Sequence, residues 1–267
     1  MKNIIFIHGM FQNPKSWEKW QHYFTERGYN CIAPAWPYHE GEPADLRANP
    51  APELGDLGLQ ELVDQFAGIA SSVDSPILIG HSVGGLIAQL LINKGIGSAG
   101  VCIDSVAPNA MLAFDWGFMK NSALIANPFK GNEPFQMDLE SFQSSFCNTM
   151  TEEETKVAYE AFATHDSRNV LRDCMGEAGQ IDLDLPHAPL LFVSGEADEI
   201  IPASLNEKNA EAYTDENSKT FFQKFPDRSH FICGQPGWEE VAESVYDWLE
   251  EHTQTKIFQN QTEYGQQ

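Results

Sequence analysis

Ser82 is the side chain best placed to act as a nucleophile. It stands in Gly80-His81-Ser82-Val83-Gly84-Gly85, between the apolar runs Pro76-Ile77-Leu78-Ile79 and Leu86-Ile87-Ala88-Gln89-Leu90-Leu91-Ile92. That order is a short strand, a tight turn centred on a serine, and an apolar helix. A Gly-x-Ser-x-Gly turn in this setting thrusts the hydroxyl out above the edge of a sheet. Gly80 and Gly84 belong there because a Cβ at either place would meet the neighbouring strand or helix. The helix that starts at the turn aims its free N–H groups and positive dipole end at the hydroxyl. The alternative is an inert strand-to-helix turn, since small residues often cluster in turns.

A serine hydroxyl is a poor nucleophile at neutral pH. It needs a histidine to take its proton and an acid to orient that histidine. Both occur in suitable places. Leu190-Leu191-Phe192-Val193 runs into Ser194-Gly195-Glu196-Ala197-Asp198-Glu199, and Thr220–Phe225 runs into Pro226-Asp227-Arg228-Ser229-His230. Asp198 and His230 therefore each hang off the end of a strand, at the sheet edge where such sites are built. Glu196 and Glu199 compete with Asp198 as neighbouring acids, and Asp104, at the end of another apolar run, is a second candidate. The chain order Ser82, Asp198, His230 differs from the orders of the two major serine protease folds.

These residues need a frame. Strand-like runs cover Asn3–Ile7, Asn30–Ala33, Ile77–Ile79, Gly100–Asp104, Leu190–Val193 and Thr220–Phe225. Several are apolar throughout, as strands covered on both faces should be. Helical patterns lie between and after them at Ser16–Glu26, Gly58–Ser71, Gly84–Lys94, Ser204–Ala212 and Gly237–His252. The alternation predicts an α/β fold with a mostly parallel sheet of about six strands flanked by helices. It breaks once, between Asp104 and Leu190. That stretch holds helical segments at Asp138–Phe146, at Ser167–Met175 and from a capping box at Thr151 to Ala163. Proline-rich joints bound it, so we expect a core of residues 1–107 and 186–267 and an inserted helical cap of residues 108–185.

Taken together, the chain resembles the α/β-hydrolase-fold serine hydrolases of the single-domain bacterial type with a helical cap, over nearly its whole length. The resemblance rests on Ile7-His8-Gly9-Met10 after the first strand, the serine turn, Gly195-Glu196-Ala197-Asp198 running on to Ile200-Ile201-Pro202, and Arg228-Ser229-His230-Phe231. It implies Ser82 as nucleophile, His230 as general base and Asp198 as its orienter. It also implies an oxyanion hole made by the backbone N–H groups of Met10 and Val83, each such donor contributing roughly 3 kcal/mol. Some relatives carry the acid where Asp104 stands. The family's sheet usually opens with a two-strand antiparallel hairpin. Here Met1 almost abuts the first strand, so that hairpin has no counterpart, and Asn30–Ala33 becomes an edge. The implied reaction cleaves a carboxylic ester, thioester or lactone through an acyl-serine, with no cofactor and no metal. The same fold and triad also serve C–C bond hydrolases, hydroxynitrile lyases, cofactor-free haloperoxidases and small-ligand receptors.

Trp36, Tyr38 and His39, after the second strand, and Phe114, Trp116 and Phe118, at the start of the cap, are candidates for a substrate pocket or for core packing. His8 reads as a support of the oxyanion loop and His81 as a ring packed in the serine turn. His22, His39, His165, His187 and His252 show no metal-ligand spacing. The five cysteines are odd in number and scattered, which argues against a disulfide framework. No apolar run reaches the roughly 20 residues that span a bilayer. Asn3–Ile7 is too short for a signal-peptide core, so a cytoplasmic location is expected. The formal net charge of −23 over 267 residues repels nucleic acid and anionic membranes. The expected partner is a small-molecule substrate, and the expected state is a monomer or homodimer.

Overall fold

The computed structural model describes residues 2–112, 127 and 130–253. Phe114, Trp116 and Phe118 lie outside the described residues. Six strands form one sheet: β1 (Asn3–Ile7), β2 (Asn30–Ile32), β3 (Ile77–His81), β4 (Ala99–Ile103), β5 (Leu190–Gly195) and β6 (Thr220–Phe225). Their spatial order is β2-β1-β3-β4-β5-β6, and every pairing is parallel. Parallel strands expose all their C-terminal ends on one edge, so the residues that follow β1, β3, β4, β5 and β6 converge there.

Period-two alternation splits the strands between two apolar layers. Ile5, Ile7, Leu78, Cys102, Leu190 and Phe192 face one, with α3 (Leu59–Ser71) and α4 (Val83–Asn93). Ile4, Phe6, Ile77, Ile79, Val101, Leu191 and Val193 face the other, with α1 (Glu18–Thr25) and the last long helix, Trp238–His252. The helix α4 is buried along nearly its whole length, so it is apolar on all sides. Its one long polar side chain, Gln89, is satisfied: it donates to Ser105 Oγ at 2.7 Å and accepts from the Tyr213 hydroxyl at 3.0 Å.

Two boundaries moved from the sequence expectation for clear reasons. The helix expected at Ser16–Glu26 splits, because Pro14 and an Asn13 side-chain cap on the Lys15 N–H open a tighter 3₁₀ turn at Pro14–Trp17. The strand β4 stops at Ile103 because Asp104 turns to φ +40°.

The segment between β4 and β5 holds the helices Glu152–Phe162 and Arg168–Cys174, and a π-helical turn at Phe142–Phe146. The capping box read from sequence is in place: Thr151 Oγ1 accepts from the Glu154 N–H, and the Glu154 carboxylate accepts from the Thr151 N–H. Phe142, Phe146, Ala158, Val170 and Leu171 share one apolar cluster with Met10, Val83 and Leu86. From the Trp36–Leu57 stretch, Arg47 donates to the Tyr159, Glu160 and Ala163 carbonyls. It thereby serves the Glu160 and Ala163 carbonyls at the helix end, while the Tyr159 carbonyl also accepts from the Ala163 N–H.

Candidate active site

The serine turn is folded by close approach. A Cβ on Gly80 would lie 2.0 Å from the Gly84 carbonyl oxygen, and one on Gly84 would lie 2.2 Å from the Ile7 carbonyl oxygen. Only glycine lets β3, the turn and α4 cross this closely. Between them Ser82 takes φ +56° and ψ −120°, a strained conformation for a side-chain-bearing residue. Hydrogen bonds on both sides hold it there. The Ser82 N–H donates to Ile103 at 2.9 Å, and its carbonyl accepts from Val106 at 3.1 Å. Val83 is the first residue of α4, where an N–H has no carbonyl four residues back to serve.

His230 and Asp198 arrive from the loops after β6 and β5. Nδ1 of His230 lies 2.7 Å from Asp198 Oδ2, and both side chains are withdrawn from water. A carboxylate can only accept, so Nδ1 carries the hydrogen and Nε2 is left as a base. The second Asp198 oxygen accepts from the Ile200 and Ile201 N–H groups at 2.7 and 2.9 Å. The aspartate is thus fixed by three donors, and it fixes the ring. From the inserted segment, Phe146 meets the His230 ring edge to face at 4.9 Å, and its carbonyl accepts from the Phe231 N–H.

Ser82 and His230 line one small cavity of about 30 Å³. Its other described walls are the loop residues Met10, Phe11 and Val106, Val83 at the start of α4, the β5-loop residues Ile200 and Ile201, and Met137, Phe146 and Leu171 from the insert. Trp36 and Tyr38 are placed elsewhere. Trp36 is fully buried and stacks on His8 at 4.5 Å, while Tyr38 is 40% exposed.

His8 has one nitrogen on the Gly9 carbonyl at 2.9 Å, and Nε2 accepts from the Trp36 N–H at 3.2 Å. That pattern fits a neutral ring, and burial together with the neighbouring His39 pushes its pKa well down. His81 lies under the site with Nε2 2.8 Å from the His230 carbonyl oxygen. Burial, and after it the neighbouring His230 ring, hold its pKa well below the ordinary histidine value.

Asp104 is the second acid of this edge, and it does a different job. Its Oδ1 accepts from Ser194 Oγ at 3.0 Å and from the Gly195 N–H at 2.8 Å. Burial first, and the Asp198 charge second, push its pKa well up. With His81 and His230 it forms a group whose nitrogen and oxygen atoms lie within 4.8 Å of one another. His81 Nε2 and His230 Nδ1 in that group are already committed to a carbonyl and to Asp198.

Sequence reasoning missed two contributors, Asp166 and Phe146, and offered His39 only as a pocket wall. Asp166 Oδ2 accepts from the Phe11 N–H at 2.9 Å across 155 positions of chain, a link that no local spacing announces.

The family model described as "Alpha/beta hydrolase family" matches residues 4–243. The chain belongs to that family. Solved structures agree on the fold. A polyneuridine aldehyde esterase matches with a TM-score of 0.67 at 14% identity, covering 93% of this chain and 99% of that one. A pyrethroid hydrolase from Sphingobium faniae JZ-2 matches with a TM-score of 0.68 at 19% identity, covering 93% and 97%. A monoacylglycerol lipase from Paleococcus ferrophilus matches with a TM-score of 0.67 at 17% identity, covering 94% of each chain. No curated protein matches this chain.

Proposed function

We propose that this hydrolase cleaves a small carboxylic ester through an acyl-serine intermediate, with thioesters and lactones as related substrates. The observation that carries the reading is the buried 2.7 Å Asp198–His230 pair, whose ring shares a cavity with the strained Ser82. His230 takes the Ser82 proton as the hydroxyl attacks the carbonyl carbon, and returns it to the leaving alkoxide. It then activates water to release the acid. Asp198 keeps the ring in the Nδ1–H tautomer and stabilises the imidazolium. The backbone N–H groups of Met10 and Val83 receive the oxyanion. No metal or cofactor enters this scheme.

The neighbouring structures carry esterase, lipase and hydrolase names, which supports ester chemistry over the other reactions of the fold. The segment 108–185 acts as the cap, since Met137, Phe146 and Leu171 wall the cavity from above the serine. Those walls are apolar and the space among the described residues is small, which favours a short acyl group. No helix among the described residues is long and apolar enough to cross a membrane.

The test is a panel of p-nitrophenyl esters of rising acyl length, run beside Ser82→Ala. The expected result is the highest kcat/KM at two to four acyl carbons and a loss of at least ~10³-fold in kcat for the variant. Equal rates in the two proteins would remove Ser82 from the mechanism.

A further inference from the structure

The loop after β1 contains Met10, whose N–H the proposed mechanism needs, and next to it Phe11 in a left-handed conformation at φ +63°. A non-glycine residue held there costs of order 1–3 kcal/mol and persists only where its surroundings over-determine it. The determinants come from the insert. The Phe11 N–H donates to Asp166 Oδ2 at 2.9 Å, and the Phe11 carbonyl accepts from the Thr164 N–H at 3.0 Å. Thr164 Oγ1 donates to the Gln12 carbonyl at 3.3 Å. The Phe11 ring packs edge to face on Phe135, which pairs with Asp166 in a short antiparallel bridge.

Asp166 is fully buried, and a lone buried carboxylate would be costly. Its Oδ1 accepts from the Ser167 N–H at 2.7 Å, and His39 Nε2 lies 3.5 Å from its Oδ2. His39 is itself fully buried, with Nδ1 on the Pro37 carbonyl at 3.0 Å. Both partners of that ring are acceptors only. Nδ1 is spent on the Pro37 carbonyl, so the far side of the ring, Nε2, is the side that faces the carboxylate. Burial alone would push the ring's pKa down. Asp166, the Pro37 carbonyl and the charge of Glu40 outweigh it and raise the pKa, while neutral His8 stands on the other side.

We propose that Asp166, balanced by His39, is a positioning residue for catalysis: it holds the Met10–Phe11 turn in the strained form that presents the oxyanion donor. The consequence is that the oxyanion hole is complete only when the insert is docked on the core. The inference rests on the reading of Ser82 as nucleophile and Met10 as oxyanion donor.

The test measures kcat and KM on a short p-nitrophenyl ester for the wild type, Asp166→Ala, Asp166→Asn and Ser82→Ala. The rates of the proteins that keep Ser82 are normalised to active sites counted with a fluorophosphonate, which removes any loss through unfolded protein, and that of Ser82→Ala to total folded protein. Misplacing one catalytic donor costs up to roughly 10²-fold, so Asp166→Ala should lose about 10- to 100-fold in kcat per titrated site. Its KM should stay within about 3-fold, because the ground state does not use the oxyanion hole. Asp166→Asn keeps an oxygen for the Phe11 N–H and should fall between the two. A merely structural role would lower the titrated fraction and leave kcat per site alone. Wild-type kcat per site in Asp166→Ala overturns the proposal, as does wild-type kcat per site in Asp166→Leu, which also removes the acceptor, should the alanine variant not fold. If Ser82→Ala keeps the wild-type rate, the mechanism fails first. If Ser82→Ala is inactive while Asp166→Ala is unaffected, only the positioning role falls.

Discussion

In both Asp198–His230 and Asp166–His39 the carboxylate and the ring are withdrawn from water. In both, the carboxylate also takes backbone N–H groups: Ile200 and Ile201 on Asp198, Phe11 and Ser167 on Asp166. The pairs differ at the far nitrogen of the ring. His230 turns that nitrogen toward the cavity it shares with Ser82, whereas His39 points its own at the Pro37 carbonyl. A ring with a vacant, basic nitrogen can move a proton. A ring whose Nδ1 is spent on a carbonyl is held in place. On the proposed reading the same two residue types serve proton transfer at the sheet edge and loop geometry beneath the insert, and the second contact of each histidine separates the two.

The contrast is broken most forcefully at the first pair. Asp198→Asn keeps the shape but lets the ring adopt the other tautomer. The expected loss in kcat is on the order of 10⁴-fold, with the fold intact by circular dichroism. A loss under about 10-fold would mean that the Asp198 contact does not set the state of His230. Disruption of the second pair at Asp166 should act on kcat roughly 10²- to 10³-fold less strongly.

A smaller effect sharpens the comparison at Asp104, the buried acid with no histidine of its own to orient. Asp104→Asn retains the oxygen that accepts from Ser194 and Gly195, so kcat should stay within about 3-fold. Its stability should change with pH in one direction. The folded-state pKa of Asp104 is raised, so its contribution is fully present below the ordinary aspartate value and is lost as pH rises through the raised one. An asparagine cannot ionise. The melting temperature of the variant minus that of the wild type should therefore climb from about pH 4 to pH 8. A flat difference, or a thousand-fold loss of kcat, would show that Asp104 is an ionised partner of the catalytic histidine.

How much of this was legible follows from where the information lies along the chain. β1 and β6 occupy the expected spans, because each is a short run between strong turn residues. The serine turn was readable because its glycines, its strand and its helix are contiguous. Asp198 and His230 were readable from their places after strands, although Asp104 shared that property and only the hydrogen bonds separate the two acids. Asp166 and Phe146 were not readable as site residues, nor was the contact that His39 makes. Each acts on a loop that is distant in sequence, and the contact depends on how the insert seats on the core. Trp36 illustrates an alternative that the sequence left open: an aromatic residue after a strand suits a pocket wall or the core, and its ring is buried against His8.

The central claim is that His230 activates the Ser82 hydroxyl. Its most direct test is reaction with a fluorophosphonate, followed by intact mass measurement and peptide mapping. The account predicts one adduct per chain, on Ser82, with none on Ser82→Ala and labelling slowed at least ~10³-fold in His230→Ala. An adduct at another residue, or Ser82→Ala labelled as fast as the wild type, would contradict it.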